Sequence, residues 1–224
     1  MAVQSWDGSA VPGHVRRALG AAPRQEAPYP HWRPREVLPL PLAEAILALP
    51  FAPPAIGDTE GRRETHNATR LFYDAPARAA HPPCAALAET FQAPATIALL
   101  EDRCGRPLGG SFLRIEDCQD TEGFWLEPHT DIGAKLFTLL IYLSRQPEAE
   151  EWGTDVLDAA GRLCVRVPGT FNTGLAFLPA ADTWHGFAKR PIRGVRRSLI
   201  INYVAAEWRS RHELAFADQP VRRA

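Results

Sequence analysis

From about residue 110 onward the chain reads as short apolar or alternating runs broken by Gly, Pro and Asp. Eight segments can be marked off, approximately Ser111 to Glu116, Phe124 to Pro128, Leu136 to Leu143, Thr154 to Leu157, Leu163 to Val167, Thr173 to Leu178, Trp184 to Ala188 and Arg197 to Val204. Short strands separated by frequent turns predict an all-β sandwich or barrel. The N-terminal half has a different texture. "LAEAILALPF" sets Leu42, Ile46 and Leu49 on one helical stripe. "PPCAALAETFQAPATIALLEDRCG" opens at Pro83 and closes at Gly105, and Pro94 divides it into two helices. Between these, "THNATRLFYD" reads as a strand stopped by Asp74-Ala75-Pro76. Pro12, Pro23, Pro28, Pro30, Pro34 and Pro39 crowd the first 40 residues and predict a wrapping arm or a partly disordered leader.

Eight strands after a helical N-terminal half fit an α+β, mainly β chain, a double-stranded β-helix (jelly roll) buttressed by helices on one side. The expected division is a proline-rich arm over 1–40, a helical support region of the same domain over 41–107, the β-helix core over 108–207 and a C-terminal tail over 208–224. A length of 224 residues suits a single core, and no internal repeat suggests a solenoid.

Composition narrows the partners. The 25 basic and 26 acidic residues nearly cancel, which argues against a nucleic-acid or anionic-membrane partner. The longest apolar run, Leu136 to Leu143, is far too short for a membrane span, and the N-terminus has no signal-peptide core. The expectation is a soluble, cytoplasmic protein acting on a small-molecule or carrier-bound substrate; oligomeric state is not legible. Cys84, Cys104, Cys118 and Cys164 form no Cys-x-x-Cys pair and are expected as reduced thiols. A sequon at Asn67 has no meaning without secretion.

Candidate chemistry begins at "EPHTDIGAKLFTLLIYL". His129 and Asp131 lie two apart at a strand end, so an extended backbone turns both to one face. His-x-Asp alone also describes a solvated turn. His185 in "DTWHGF" supplies a third ligand, and two His with one carboxylate form the facial triad of non-haem Fe(II) sites. In "GVRRSLIINYV", Arg196 and Ser198 alternate on one strand face, where an arginine fork and a hydroxyl can grip a carboxylate together. Alternation also requires that one of Arg196 and Arg197 face inward and the other outward.

The ordered set "HTD", "WHGF" and "PIRGVRRSLIINYV" resembles the Fe(II)- and 2-oxoglutarate-dependent dioxygenase superfamily, in its prolyl-hydroxylase-like branch, over roughly residues 108 to 204. The resemblance implies Fe(II) held by His129, Asp131 and His185. It also implies 2-oxoglutarate and O2 as cosubstrates, with Arg196 and Ser198 on the distal carboxylate of 2-oxoglutarate. By the same likeness Thr138 and Tyr142 are directed at 2-oxoglutarate, Tyr142 having a core-only alternative. The implied reaction is C–H hydroxylation with release of succinate and CO2. Asp131 favours it, because related halogenases replace this carboxylate; desaturation and ring closure stay open. Relatives often carry Gly-Gly where this chain has Trp152-Gly153-Thr154-Asp155, which leaves the substrate wall unassigned.

Arg114, Trp125 and Trp152 are candidate substrate contacts, the alternatives being a solvated charge and core or rim packing. Lys135 either faces the pocket or caps a turn. His14, His31, His66, His81 and His212 are expected at the surface or in packing. Two other readings remain at this point: a cupin-like metal enzyme that needs no 2-oxoglutarate, and a non-catalytic jelly-roll binding or sensor module.

Overall fold

The computed structural model describes residues 8–62 and 70–224. The chain runs through α1 (Val11–Ala21), β1 (Arg24–Gln25), β2 (His31–Trp32), α2 (Leu40–Leu47), β3 (Leu71–Phe72), α3 (Ala75–Ala80), α4 (Pro82–Gln92) and α5 (Pro94–Cys104). There follow β4 (Phe112–Asp120), β5 (Leu126–His129), β6 (Lys135–Tyr142), β7 (Asp155–Leu157), β8 (Leu163–Arg166), β9 (Thr173–Phe177), β10 (His185–Phe187) and β11 (Arg196–Val204). Each of the eight segments marked from the sequence overlaps one of the strands β4 to β11.

The strands form two antiparallel sheets, one ordered β1-β2-β9-β6-β11-β4-β3 and the other β5-β10-β7-β8. Period-two alternation gives the larger sheet two different faces. Leu113, Ile115, Phe137, Leu139, Ile141, Leu199, Ile201 and Tyr203 face the helices and merge with Val15, Ile46, Leu87, Phe91 and Ile97 into one core. Leu140, Tyr142, Leu175, Phe177 and Ile200 face the other way and pack with Val156 and Val167 beside the smaller sheet. The result is a mainly β architecture of antiparallel sheets with helices on one side. No helix among the described residues is long and apolar enough to cross a membrane.

Three differences from the sequence reading have local causes. The supposed arm contains the helix α1, whose Val11, Val15 and Leu19 are buried. Pro12 sits in its first turn, where a missing N–H costs nothing, and the next proline comes only after the helix ends. β1 and β2 then extend the larger sheet beside β9. Asp74 does more than stop a strand: its carboxylate accepts the Ala77 N–H at 2.9 Å and caps α3. Of the strand expected over "THNATRLFYD", residues 65–69 lie outside the described residues, His66 and Asn67 among them, and Leu71–Phe72 pairs with β4.

β4 continues four residues past the expected Glu116, because its polar residues are buried in pairs that an apolar pattern cannot reveal. Asp117 accepts two hydrogen bonds from Arg197, at 3.1 and 2.9 Å, and one from the Tyr73 hydroxyl at 3.1 Å. Arg197 also donates to Leu47 O, so this pair ties the sheet to α2. Arg197 is therefore on the helix side, and Arg196 on the opposite face.

Candidate metal centre and its cavity

His129 ends β5 and His185 opens β10, and strand register sets them directly opposite each other, with ring centroids 4.4 Å apart. Asp131 follows in the loop between β5 and β6. One ligand atom from each of His129, Asp131 and His185 lies within 4.8 Å of the others. Both imidazoles are oriented alike. His129 Nδ1 meets Glu127 O at 2.8 Å, and His185 Nδ1 meets Thr183 O at 3.0 Å. A carbonyl only accepts, so each Nδ1 carries the proton and each Nε2 keeps a free lone pair, the tautomer a divalent cation requires.

The charge states agree with that use. Burial pushes the His185 pKa down to about 4, the Asp131 charge opposing it, so the ring is neutral. Burial alone would raise Asp131, but the Lys135 ammonium, His185 and hydrogen bonds hold it at about 2. One Asp131 oxygen pairs with Lys135 and the other accepts from the Thr138 hydroxyl at 2.8 Å. A neutral His185 imidazole and an ionised carboxylate, with the His129 ring beside them, suit Fe(II).

Thr138 belongs to a row running across three strands. Register places Thr138 of β6 opposite Asn202 of β11, and Asn202 opposite Arg114 of β4. The Arg114 guanidinium can only donate, so it takes the Asn202 amide oxygen at 3.3 Å. The Asn202 amide nitrogen then donates to Thr138 Oγ1 at 2.9 Å. That leaves the Thr138 hydroxyl proton for Asp131, and every donor direction in the row follows from the cation at its far end.

The triad opens into a cavity of about 330 Å³ whose lining includes Thr138, Leu140, Thr154, Arg196 and Ile200 together with Arg70, Arg114, Glu116, Trp208 and Glu213. Arg196 is buried, donating to Trp152 O and Asp120. Ser198, two residues on, is 0% exposed, and its hydroxyl has no hydrogen-bond partner among the described residues. A buried polar group left so costs roughly 1–3 kcal/mol unless a ligand satisfies it. The Tyr142 hydroxyl meets Thr154 Oγ1 at 2.7 Å, and burial pushes its pKa up.

Of the expected substrate contacts, Arg114 lines the cavity. Trp125 does not; its indole donates to Asp58 at 2.5 Å and borders a neighbouring cleft with Phe187 and Lys189. Trp152 is outside the lining as well, in the core-packing alternative: it is 1% exposed, donates to Pro191 O and packs with Phe124, Ala149, Phe187 and Ile192. Gly153 follows because a Cβ there would stand 1.6 Å from Val167 O. Asn202, Thr154 and Asp120 were not anticipated. Asn202 was within reach, since it continues the even-numbered face of Arg196 and Ser198; Thr154 and Asp120 become visible only through pairing across strands.

No protein-family model matches the chain, and no curated protein matches it. Among solved structures it is similar to a Pseudomonas putida prolyl-4-hydroxylase, with TM-score 0.54 and 16% identity over 87% of this chain and 94% of the other. It is also similar to a Phytophthora capsici prolyl 4-hydroxylase, with TM-score 0.56 and 14% identity over 92% and 68% of the two chains. The fold is similar to that of these two prolyl 4-hydroxylases. At such identities the prolyl 4-hydroxylase likeness speaks for the architecture, and the site rests on this chain's own residues.

Proposed function

We propose that the chain is a non-haem Fe(II)- and 2-oxoglutarate-dependent oxygenase, built on a double-stranded β-helix, that hydroxylates a C–H bond of a small-molecule or carrier-bound substrate. The observation that carries this reading is the His129, Asp131 and His185 cluster, with both imidazoles held in the metal-binding tautomer. The prolyl 4-hydroxylase fold supports it.

Fe(II) would be held by His129, Asp131 and His185. With 2-oxoglutarate and O2 it supplies oxidative decarboxylation to succinate and CO2 coupled to hydroxylation. The chain's own contribution is placement. Glu127 O and Thr183 O fix the two rings, and Thr138 and Lys135 fix the carboxylate. Arg196 has five N–H groups, of which Trp152 O and Asp120 take two. Those remaining, with the unpartnered Ser198 hydroxyl, suit the distal carboxylate of 2-oxoglutarate, while Thr138 lines the cavity and Tyr142 lies behind it on the same sheet face, bonded to the lining residue Thr154.

The Arg196–Asp120 pair is the one observation favouring a metal enzyme without 2-oxoglutarate, because it partly neutralises the guanidinium. Anaerobic titration with Fe(II) and 2-oxoglutarate separates the readings. The proposal expects the weak visible charge-transfer band of the chelate, lost in His185→Ala and weakened in Arg196→Ala. Absence of the band in the parent protein, or its persistence unchanged in both variants, would refute it.

A further inference from the structure

We infer that the end of the cavity away from Arg196 is a subsite for the paired ammonium and carboxylate of a free α-amino acid, which narrows the substrate class and rests on the oxygenase reading. Among the described residues, four charged side chains meet there: Arg70 and Arg114, Glu116 and Glu213, all lining the same cavity as the triad. Arg114 is 3% exposed and lies between two aromatic rings, 4.7 Å from the Phe72 centroid and 5.6 Å from that of Trp208. Its Nε donates to Glu213 Oε2 at 2.6 Å, one terminal nitrogen to Asn202 Oδ1 at 3.3 Å and the other to Glu116 Oε2 at 3.0 Å. Three of its five N–H groups are thereby engaged, and two remain for a carboxylate. Glu213 Oε1 has no partner among the described residues and can accept from an ammonium.

Charge selects between ligand classes. Two guanidiniums and two carboxylates in one pocket wall favour neither a bare anion nor a bare cation. They complement a ligand whose opposite charges are a few ångströms apart, and an α-amino acid has that spacing. A peptide-bound residue and a carrier thioester lack one or both charges. The subsite is also indexed to the chemistry, because Arg114 reaches Asp131 through Asn202 and Thr138. A ligand held on Arg114 thus has a fixed relation to the metal-binding residues, and its side chain is left to reach them.

The test uses the full chain with Fe(II), 2-oxoglutarate and O2, and reads succinate while the twenty common L-α-amino acids are added singly, each against its N-acetyl and methyl-ester derivatives. At least one free amino acid is expected to raise succinate formation, and both derivatives to lose about ten-fold or more in kcat/KM. Glu213→Gln is expected to raise the KM for that amino acid about ten-fold while the KM for 2-oxoglutarate stays the same. If the anaerobic charge-transfer band forms but no free amino acid stimulates turnover, or blocked derivatives act equally well, the inference is overturned and the oxygenase reading stands. An unchanged amino-acid KM in Glu213→Gln also overturns it. If the band never forms, the oxygenase reading itself has failed. Should Glu213→Gln not fold, the arms with the unaltered protein still decide.

Discussion

Replacing Thr138 with valine keeps the shape of the side chain and removes one hydroxyl, which isolates the row that orients Asp131. Two hydrogen bonds disappear: the one Thr138 donates to Asp131 at 2.8 Å and the one it accepts from Asn202 at 2.9 Å. The first is assisted by the carboxylate charge and is worth roughly 1.5–3 kcal/mol. Losing the second leaves the Asn202 amide nitrogen with only a contact to Phe137 O at 3.5 Å, at a cost of roughly 1–3 kcal/mol. Local relaxation makes these less than additive, so Thr138→Val should destabilise the metal-free protein by about 2–4 kcal/mol. With Asp131 freed on one side, metal affinity should fall roughly 10- to 100-fold. Thr138→Ser, which keeps the hydroxyl and loses one methyl, should cost only about 1 kcal/mol. Urea denaturation and Mn(II) binding followed by electron paramagnetic resonance measure the two effects. A valine variant matching the serine variant in both would refute the reasoning. One that loses stability but binds metal unchanged would show that the row supports the sheet without orienting the ligand.

Other consequences follow from buried groups. His185, neutral because burial lowers its pKa to about 4 against 6.5 in the unfolded chain, takes up its proton more readily when unfolded. Stability of the metal-free protein should therefore be intact above pH 6.5 and fall by about 3 kcal/mol as pH drops from 6.5 to 4; chemical denaturation across that window should show the loss, and a flat profile would contradict it. Asp117→Ala strands the buried Arg197 guanidinium and the Tyr73 hydroxyl, and should cost roughly 3–5 kcal/mol in equilibrium unfolding. Gly153→Ala drives a Cβ against Val167 O; thermal melting should drop clearly, and an unchanged midpoint would show that the 147–153 turn shifts freely.

The legible part of the molecule is the part governed by simple periodicity. Leu139, Ile141, Leu199 and Ile201 alternate with residues facing the cavity, so β6 and β11 could be drawn from the pattern, and Pro94 marked the break between α4 and α5. The candidate metal cluster was legible because His129 and His185 fall at strand ends whose register brings them together, with Asp131 two residues beyond His129. What escaped depended on partners distant in sequence. β4 looked shorter because the apolar pattern stops at Glu116, and only the pairing of Asp117 with Arg197 and of Asp120 with Arg196 accounts for the buried continuation. For Trp152 the sequence left substrate contact and packing both open, and only the placement of Pro191 O and the aromatic cluster around Phe187 shows what its indole meets. α1 was hidden by proline count, although Pro12 sits where a helix tolerates it.

The central claim is tested most directly by following oxygen-dependent conversion of 2-oxoglutarate to succinate in the Fe(II)-loaded chain, with Asp131→Ala alongside. Succinate formation well above the metal-and-buffer blank, absent without Fe(II) and abolished in Asp131→Ala, is the predicted result. Succinate at the blank rate, or at the same rate in Asp131→Ala as in the parent protein, would contradict the assignment.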